Sequence, residues 1–420
     1  MAIENKELIR IGENAVKAKY VAAALGTELK NKILRECAEE LVACKGELLS
    51  ANALDIKKAE EAGMNPGLID RLKLSPERIE GIAEGIRQVA DLPDYIGEVI
   101  EETTRPNGLN IKKVRVPLGV VGIIFESRPN VTADAFSLTF KSGNAVILKG
   151  GSDALRSNMA IVGALRSVCE ENGVDPNVVQ LIEHTDRAVT KEFMKMKEYV
   201  DVLIPRGSAR LIKSVTEEAL IPVIETGSGN CHVYVDKEAD LDMATDIIFN
   251  AKTQRISVCN ACESLIVHSA IKDEFLPVLK KRLDEKNVEL RADERSFEAL
   301  GGEAVKATEE DFGTEYLDYI LSIKTVDSVE EAIEHINKYN TGHSEAIITK
   351  DESTAEKFLN GVDAACVYVN ASTRFTDGFE FGFGAEIGIS TQMLHARGPM
   401  GLRELTSYKY KVYGDGQVRQ

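Results

Sequence analysis

The sequence predicts an α/β protein of two lobes, each built on a parallel sheet, with a small flap of antiparallel strands beside them. Three observations carry this. From about residue 118 onward, short β-branched apolar runs alternate with amphipathic stretches of helical length. The alternation breaks at a Gly-rich turn near residues 226–231 and then resumes. Two strictly alternating segments, 109–118 and 405–416, stand outside both series. Strands that are apolar throughout have no solvent face, so they belong to sheets covered by helices on both sides.

The elements follow in order. In the helical first ninety residues, Leu34, Cys37, Leu41, Cys44 and Leu48 step by three and four, which places both cysteines in a buried stripe of one helix. "GVVGIIF" (119–125) is followed by "TADAFSLTFKSG", "NAVILK" (144–149) by "ALRSNMAIVGALRSVCEENG", and "VVQLIE" (178–183) by "RAVTKEFMKMK". "VDVLIP" (200–205) leads into "SARLIKSVTEEA", and a strand "IPVIET" (221–226) closes the series. The second series runs from "CHVYVD" (231–236) through "ESLIVH" and "EAIITK" to "ACVYVN" (365–370). The charged stretch 284–313 reads as a surface excursion. The tail "LTSYKYKVYGDG" (405–416) alternates like an edge strand and matches "LNIKKVRVPL" (109–118) as a partner.

Composition excludes several classes. Lys plus Arg total 51 against 68 Asp plus Glu, a net charge of −17, which disfavours nonspecific nucleic-acid binding. No apolar run nears the ~20 residues that span a bilayer, and the N-terminus lacks the apolar core of a signal peptide, so no membrane role is expected. Seven scattered cysteines make no disulfide framework, and a cytoplasmic location is the simplest expectation.

"TQRISVCNACESLIVH" (253–268) contains the one C-x-x-C. A zinc site needs a second such pair, and none exists, so no metal is expected. The strand follows the pair rather than preceding it, against thioredoxin-like chemistry. One nucleophile with a bystander remains, beside the alternative that both are small buried residues. Glu225 ends a strand next to glycines, where a carboxylate projects from the sheet edge or serves as an ordinary turn acid. "PRGSARLI" places Gly207 and Ser208 at a helix start that can hold a phosphate or simply be capped. Lys149 ends a strand, where it neutralises a phosphate or lies exposed at the rim.

Together and in this order, these features resemble the aldehyde dehydrogenase superfamily over nearly the whole chain. Segments 116–158, 225–236, 258–268 and 369–405 are similar to the branch that reduces L-glutamyl 5-phosphate to L-glutamate 5-semialdehyde in proline biosynthesis. The resemblance implies two Rossmann-like lobes with an oligomerisation flap. It makes 1–108 and 119–227 the cofactor-binding domain, 228–400 the catalytic domain, and 109–118 with 401–420 the oligomerisation strands. It also implies NADPH/NADP+ as cofactor, a homo-oligomer, and functional coupling to a glutamate 5-kinase.

The same resemblance implies that Cys259 is the nucleophile, forming a thioester as phosphate leaves. Cys259's own N–H and the side chain of Asn130 hold the oxyanion, with Arg128 able by spacing to take that place and helix capping as another use for Asn130. Glu225 accepts the thiol proton or is inherited structure, since no water need be activated. Lys149, Gly207, Ser208, Arg206, Arg210 and Glu315 bind cofactor. Arg374 and Asp377, with Arg128, are substrate candidates, although Arg374 and Asp377 also suit a surface ion pair. Two departures stand out. The branch commonly carries Pro-Gly where this chain has Ile256-Ser257, which leaves the loop without that rigid and permissive pair. Cys262 falls where an apolar residue is usual, and is therefore a bystander. The alternatives are another phosphate- or CoA-dependent acylating enzyme on this fold and an inactive NADPH-binding homologue.

Overall fold

The computed structural model describes residues 2–419 and divides into two compact units. The first runs to Thr226 and takes in Gly382–Gly388 and the segment from Met400 onward; the second comprises Gly227–Phe381 and Ile389–Pro399. The sequence had assigned 228–400 as one block, whereas Gly382–Gly388 lies with the first unit.

The first unit opens with five helices, Ala2–Ala24, Thr27–Ala43, Lys45–Glu61, Pro66–Leu72 and Pro76–Asp91. The last begins where sequence rules place a helix start: the Ser75 hydroxyl accepts from the Arg78 N–H, and Pro76 occupies the first helical position. The Cys37–Cys44 stripe spans a break rather than one helix. Cys44 is the turn between two helices, and Cys37 is buried while Cys44 is only half-buried.

Four parallel strands follow, in the order Val179–Leu181, Ala145–Lys149, Val120–Phe125, Val202–Arg206. All six residues of Val120–Phe125 and all five of Ala145–Lys149 are buried, as the apolar runs required. The strand expected at 221–226 is reduced to single bridge residues, Val223 opposite Leu203 and, farther on, Thr226. Pro222 has no N–H to donate, and the segment joins the neighbouring strand through only the Leu203 N–H to the Pro222 carbonyl and the Ile224 N–H to the Leu203 carbonyl. The flap is a three-stranded antiparallel sheet in which Asn110–Pro117 pairs with Thr406–Tyr413, as the alternation indicated. Its third member, Val99–Thr104, was not foreseen; it is exposed at every position and carries no burial pattern to read.

The second unit holds seven parallel strands, ordered Val305–Lys306, Glu289–Ala292, Ile320–Val326, Cys262–His268, Cys231–Val235, Ser344–Ile348, Cys366–Val369. Successive side chains point to opposite faces. Val233, Val235, Leu265 and Val267 therefore meet Ile248, Phe275 and Leu279 on one face, while Tyr234, Ile266 and Ile347 meet Ile336 and Phe358 on the other. The charged stretch 284–313 is not an excursion: it supplies two of these strands and the helix Glu294–Ala299. Leu290 and Ala292 bury on one side while Glu289 and Arg291 pair on the other, so charge masked a strand with only one buried face, second from the edge of the sheet.

Candidate active site

Cys259 lies in the turn joining helix Leu241–Thr253 to strand Cys262–His268, and it is half-buried. The ends of this turn are clamped by a fully buried ion pair, the Lys252 ammonium on the Glu263 carboxylate. Burial raises the Glu263 carboxyl to about 7 even against the pull of Lys252. Within the turn, the Asn260 amide donates to the Thr376 carbonyl at 2.9 Å and the Arg374 carbonyl at 3.3 Å, and the Asn260 carbonyl accepts from the Thr373 hydroxyl at 2.8 Å. The nucleophile candidate is thereby pinned to the segment carrying Arg374 and Asp377.

Ile256-Ser257 needs no glycine-like backbone, because neither residue adopts a positive φ. The left-handed residue here is Leu317, φ 54°, whose N–H is held by Glu263 and whose carbonyl accepts from the Ser257 hydroxyl. Cys262 is the buried first residue of its strand, and burial pushes its thiol up to about 12. It has neither access nor thiolate character.

Gly229 and Cys231 close on Cys259 from the neighbouring strand. The Cys231 thiol donates to the Cys259 carbonyl at 3.2 Å, and the Gly229 Cα lies so close to that carbonyl that a side chain at 229 has no room. The Gly229 N–H in turn donates to the Glu315 carboxylate at 2.8 Å. Glu315, Gly229 and Cys259 are thus brought together in one unit. Glu315 itself follows a short 3-10 turn fixed by Asp311, which accepts from Arg291 at 2.7 Å, the Thr308 N–H at 2.7 Å and the Tyr316 hydroxyl at 2.9 Å.

Arg374 donates to Gln254 at 2.9 Å rather than forming the surface ion pair with Asp377 that the sequence allowed. Burial lowers its pKa, and the like charge of Arg255 adds to this, while Cys259 and Asp377 act in the opposite sense. Asp377 receives the Phe379 N–H at 2.9 Å and so organises its own turn.

The remaining candidates lie in the first unit. Asn130 is the first residue of helix Asn130–Lys141; the cap position belongs to Pro129, so Asn130 does not cap that helix. Its amide instead donates to Asp134 at 2.9 Å. Arg128 precedes it in a half-buried loop, next to Ser127, which adopts φ 43° and bonds Asp153. Glu225 is half-buried in the extended segment after the isolated bridge rather than at the end of a strand. Asp236, just past strand Cys231–Val235, is buried and accepts from the Tyr234 and Thr349 hydroxyls.

Lys149 is only 5% exposed, which sets aside the solvent-exposed rim lysine. Its ammonium donates to the Gly150 carbonyl at 3.0 Å, burial depresses its pKa, and among the described residues no carboxylate pairs with it. A buried cation with no anionic partner suits a phosphate. Gly207 and Ser208 do precede a helix, Ala209–Glu218, with Ser208 as its cap and Arg210 exposed in its first turn. The Ser208 N–H is already taken by the Glu126 carboxylate at 2.9 Å, an anion at the helix start that the sequence reading missed. The Arg206 guanidinium lies against Gly388, where only a glycine leaves room for it.

The residues missed by sequence reasoning are Asn260, Gly229, Cys231 and Glu126. Asn260 had a signal, an amide side chain next to the nucleophile in sequence; the other three are recognisable only through partners distant in sequence. Among the described residues there is no cluster suited to a metal ion, and no helix is long and apolar enough to cross a membrane.

The aldehyde dehydrogenase family model matches residues 2–299 and 303–410 of this chain. The chain is 60% identical over 416 residues to the gamma-glutamyl phosphate reductase of Agathobacter rectalis, covering 99% of this chain and 100% of that protein. It is 58% identical over 415 residues to that of Lachnospira eligens, with coverage of 99% and 100%. The crystal structure of gamma-glutamyl phosphate reductase from Thermotoga maritima superposes with a TM-score of 0.96 at 50% identity, covering 99% of this chain and 100% of that one.

Proposed function

The chain belongs to the aldehyde dehydrogenase family, and from that premise we infer that it reduces L-glutamyl 5-phosphate to L-glutamate 5-semialdehyde and phosphate, a step of proline biosynthesis. One observation carries the substrate: the likeness to reductases of this acyl phosphate runs the full length of both chains, at 60% identity. Family membership makes the protein an oxidoreductase using a nicotinamide cofactor. We propose NADPH/NADP+, with Lys149, Gly207, Ser208, Arg206, Arg210 and Glu315 as its binding residues. The buried, anion-free Lys149 supports a phosphate contact there.

In this reading the Cys259 thiolate attacks the acyl carbon, the C–O bond to phosphate breaks, and a thioester on Cys259 results. When bound, the cofactor supplies the hydride that brings this acyl group to the aldehyde level. The Cys259–carbon bond then breaks, releasing semialdehyde and restoring the thiolate. Each tetrahedral stage carries an oxyanion, for which the Cys259 N–H and the Asn130 amide are the proposed donors; one such donor is commonly worth about 3–4 kcal/mol. Asn260 and Cys231 support this role by fixing the turn that presents the thiol. Glu225 accepts the thiol proton, and Arg128, Arg374 and Asp377 bind the glutamyl moiety. The exposed edge of Thr406–Tyr413, with Tyr408, Tyr410 and Val412 outward, supports a homo-oligomer joined through the flap. A cytoplasmic location and coupling to the kinase that makes the acyl phosphate complete the proposal.

The test is NADP+ reduction with glutamate 5-semialdehyde, with and without inorganic phosphate, on wild type, Cys259→Ala and Cys262→Ala. Turnover that requires phosphate, survives at Cys262→Ala and vanishes at Cys259→Ala is the expected result. Turnover without phosphate, or retained at Cys259→Ala, refutes it.

A further inference from the structure

Asn130 is a side-chain amide, and an amide can turn over by 180° at little steric cost because its oxygen and nitrogen are nearly the same size. As an oxyanion donor it works in one orientation only, with N–H toward the substrate. Something must therefore choose that orientation. The helix cap does not, since Pro129 holds the cap position and makes no side-chain bond there. The Asp134 carboxylate does: one turn along the same helix, it receives the Asn130 Nδ2–H at 2.9 Å. We propose that Asp134 is a positioning residue for the reaction, locking the Asn130 amide with its second N–H free for the oxyanion.

The chemistry of the acceptor makes the choice. An ionised carboxylate only accepts hydrogen bonds, so it bonds the nitrogen of the amide and repels the oxygen. A hydrogen bond to a charged partner is also stronger than a neutral one. Arg206, the end residue of strand Val202–Arg206, bears on Asp134 electrostatically and favours its ionised form. Burial acts the other way and is the larger influence, bringing the Asp134 carboxyl up to about 6, with the Asn130 bond and Arg206 as the groups opposing it. Arg206 is itself packed on Gly388, which leaves space for its guanidinium. Gly388, Arg206, Asp134 and Asn130 all belong to the first unit, with Arg206 acting on Asp134 through its charge.

This proposal rests on Asn130 acting as an oxyanion donor, and the experiment separates the two. Asp134→Ala, Asp134→Asn, Asn130→Ala and the double variant Asn130→Ala/Asp134→Ala are compared for kcat and KM in phosphate-dependent semialdehyde oxidation, together with thermal unfolding. Asn130→Ala is expected to lower kcat by about 100-fold. Asp134→Ala is expected to lower kcat by about ten-fold or more with KM for the semialdehyde little changed. Asp134→Asn offers both an acceptor and a donor, so it no longer imposes one orientation on Asn130 and is expected to fall between wild type and Asp134→Ala in kcat. In the Asn130→Ala background the Asp134→Ala change should cost less than about two-fold, because the residue it positions is gone. Losses that multiply in the double variant, or an Asp134→Ala enzyme with wild-type kcat, overturn the positioning role while leaving Asn130 in place. Wild-type activity in Asn130→Ala overturns the donor reading itself. Should Asp134→Ala fail to fold, Asp134→Leu, which fills the same space without an acceptor, takes its place in the cycle with the same two outcomes.

Discussion

Replacing Gly229 by alanine tests how tightly the nucleophile's turn is held. A Cβ at 229 would overlap the carbonyl carbon and oxygen of Cys259 and stand 2.9 Å from its Cα. Carbon atoms in contact keep about 3.5–4.0 Å, so the Cys259 main chain must retreat by on the order of 1 Å or more. No flexible group lies between them to absorb this. The obstructing atoms are backbone, the Cys259 carbonyl is engaged by Cys231, and Asn260 is tied to two carbonyls. Gly229 does not adopt a positive φ, so the penalty is one of space and not of backbone conformation. Misplacing a reacting group by about 1 Å costs about 100-fold in rate. Gly227→Ala is the control: its Cβ would meet the Thr391 side chain, with Oγ1 at 2.7 Å, and a side chain can rotate away. Phosphate-dependent NADP+ reduction is measured for both, with the rate of iodoacetamide alkylation of Cys259. Gly229→Ala should lose about 100-fold in kcat and Gly227→Ala less than about ten-fold. Equal losses in the two variants, or a Gly229→Ala enzyme within about three-fold of wild type, refute the reasoning.

Further outcomes follow from the same geometry. Lys252→Met leaves the Glu263 carboxylate buried without its partner, and it should destabilise the protein by about 3–5 kcal/mol; Lys252→Met/Glu263→Leu should recover much of this, as read by urea unfolding. Lys149→Met removes a cation that is only 5% exposed and should raise the Kd for NADPH by about ten-fold or more, with kcat less affected, as measured by fluorescence titration. Asp311 predicts an acid transition. Burial alone would raise its carboxyl, but Arg291 and Thr308 bring it down to about 2, below its unfolded value. Its stabilisation, at most about 2 kcal/mol, is therefore complete above about pH 4 and lost as pH falls toward about 2. Asp311→Asn should flatten that part of the stability profile, and an unchanged profile refutes the assignment.

The sequence by itself determined what periodicity and covalent spacing can determine. Strands buried on both faces, such as Val120–Phe125 and Cys231–Val235, show as unbroken apolar runs, and their register with intervening helices gave both sheets. The flap pairing of 109–118 with the tail was legible because both strands alternate and each needs a partner. Excluding metal and redox uses left the C-x-x-C as one nucleophile or two buried residues, and the family resemblance singled out Cys259. The strand Glu289–Ala292 was hidden because it buries one face and charges the other, which in a charge-rich segment resembles a solvated loop. Tertiary structure alone decided what surrounds the thiol. Gly229 is 30 residues from Cys259, and Glu315 is 86 residues from Gly229. Their meeting depends on adjacent parallel strands whose connections run through whole helices, and no local pattern encodes it. The same holds for Glu126 at the start of the Ala209–Glu218 helix and for the ion pair that closes the nucleophile's turn. A buried charge or a crowded glycine has meaning only once its neighbour is known, and those neighbours were set by the packing of the sheets.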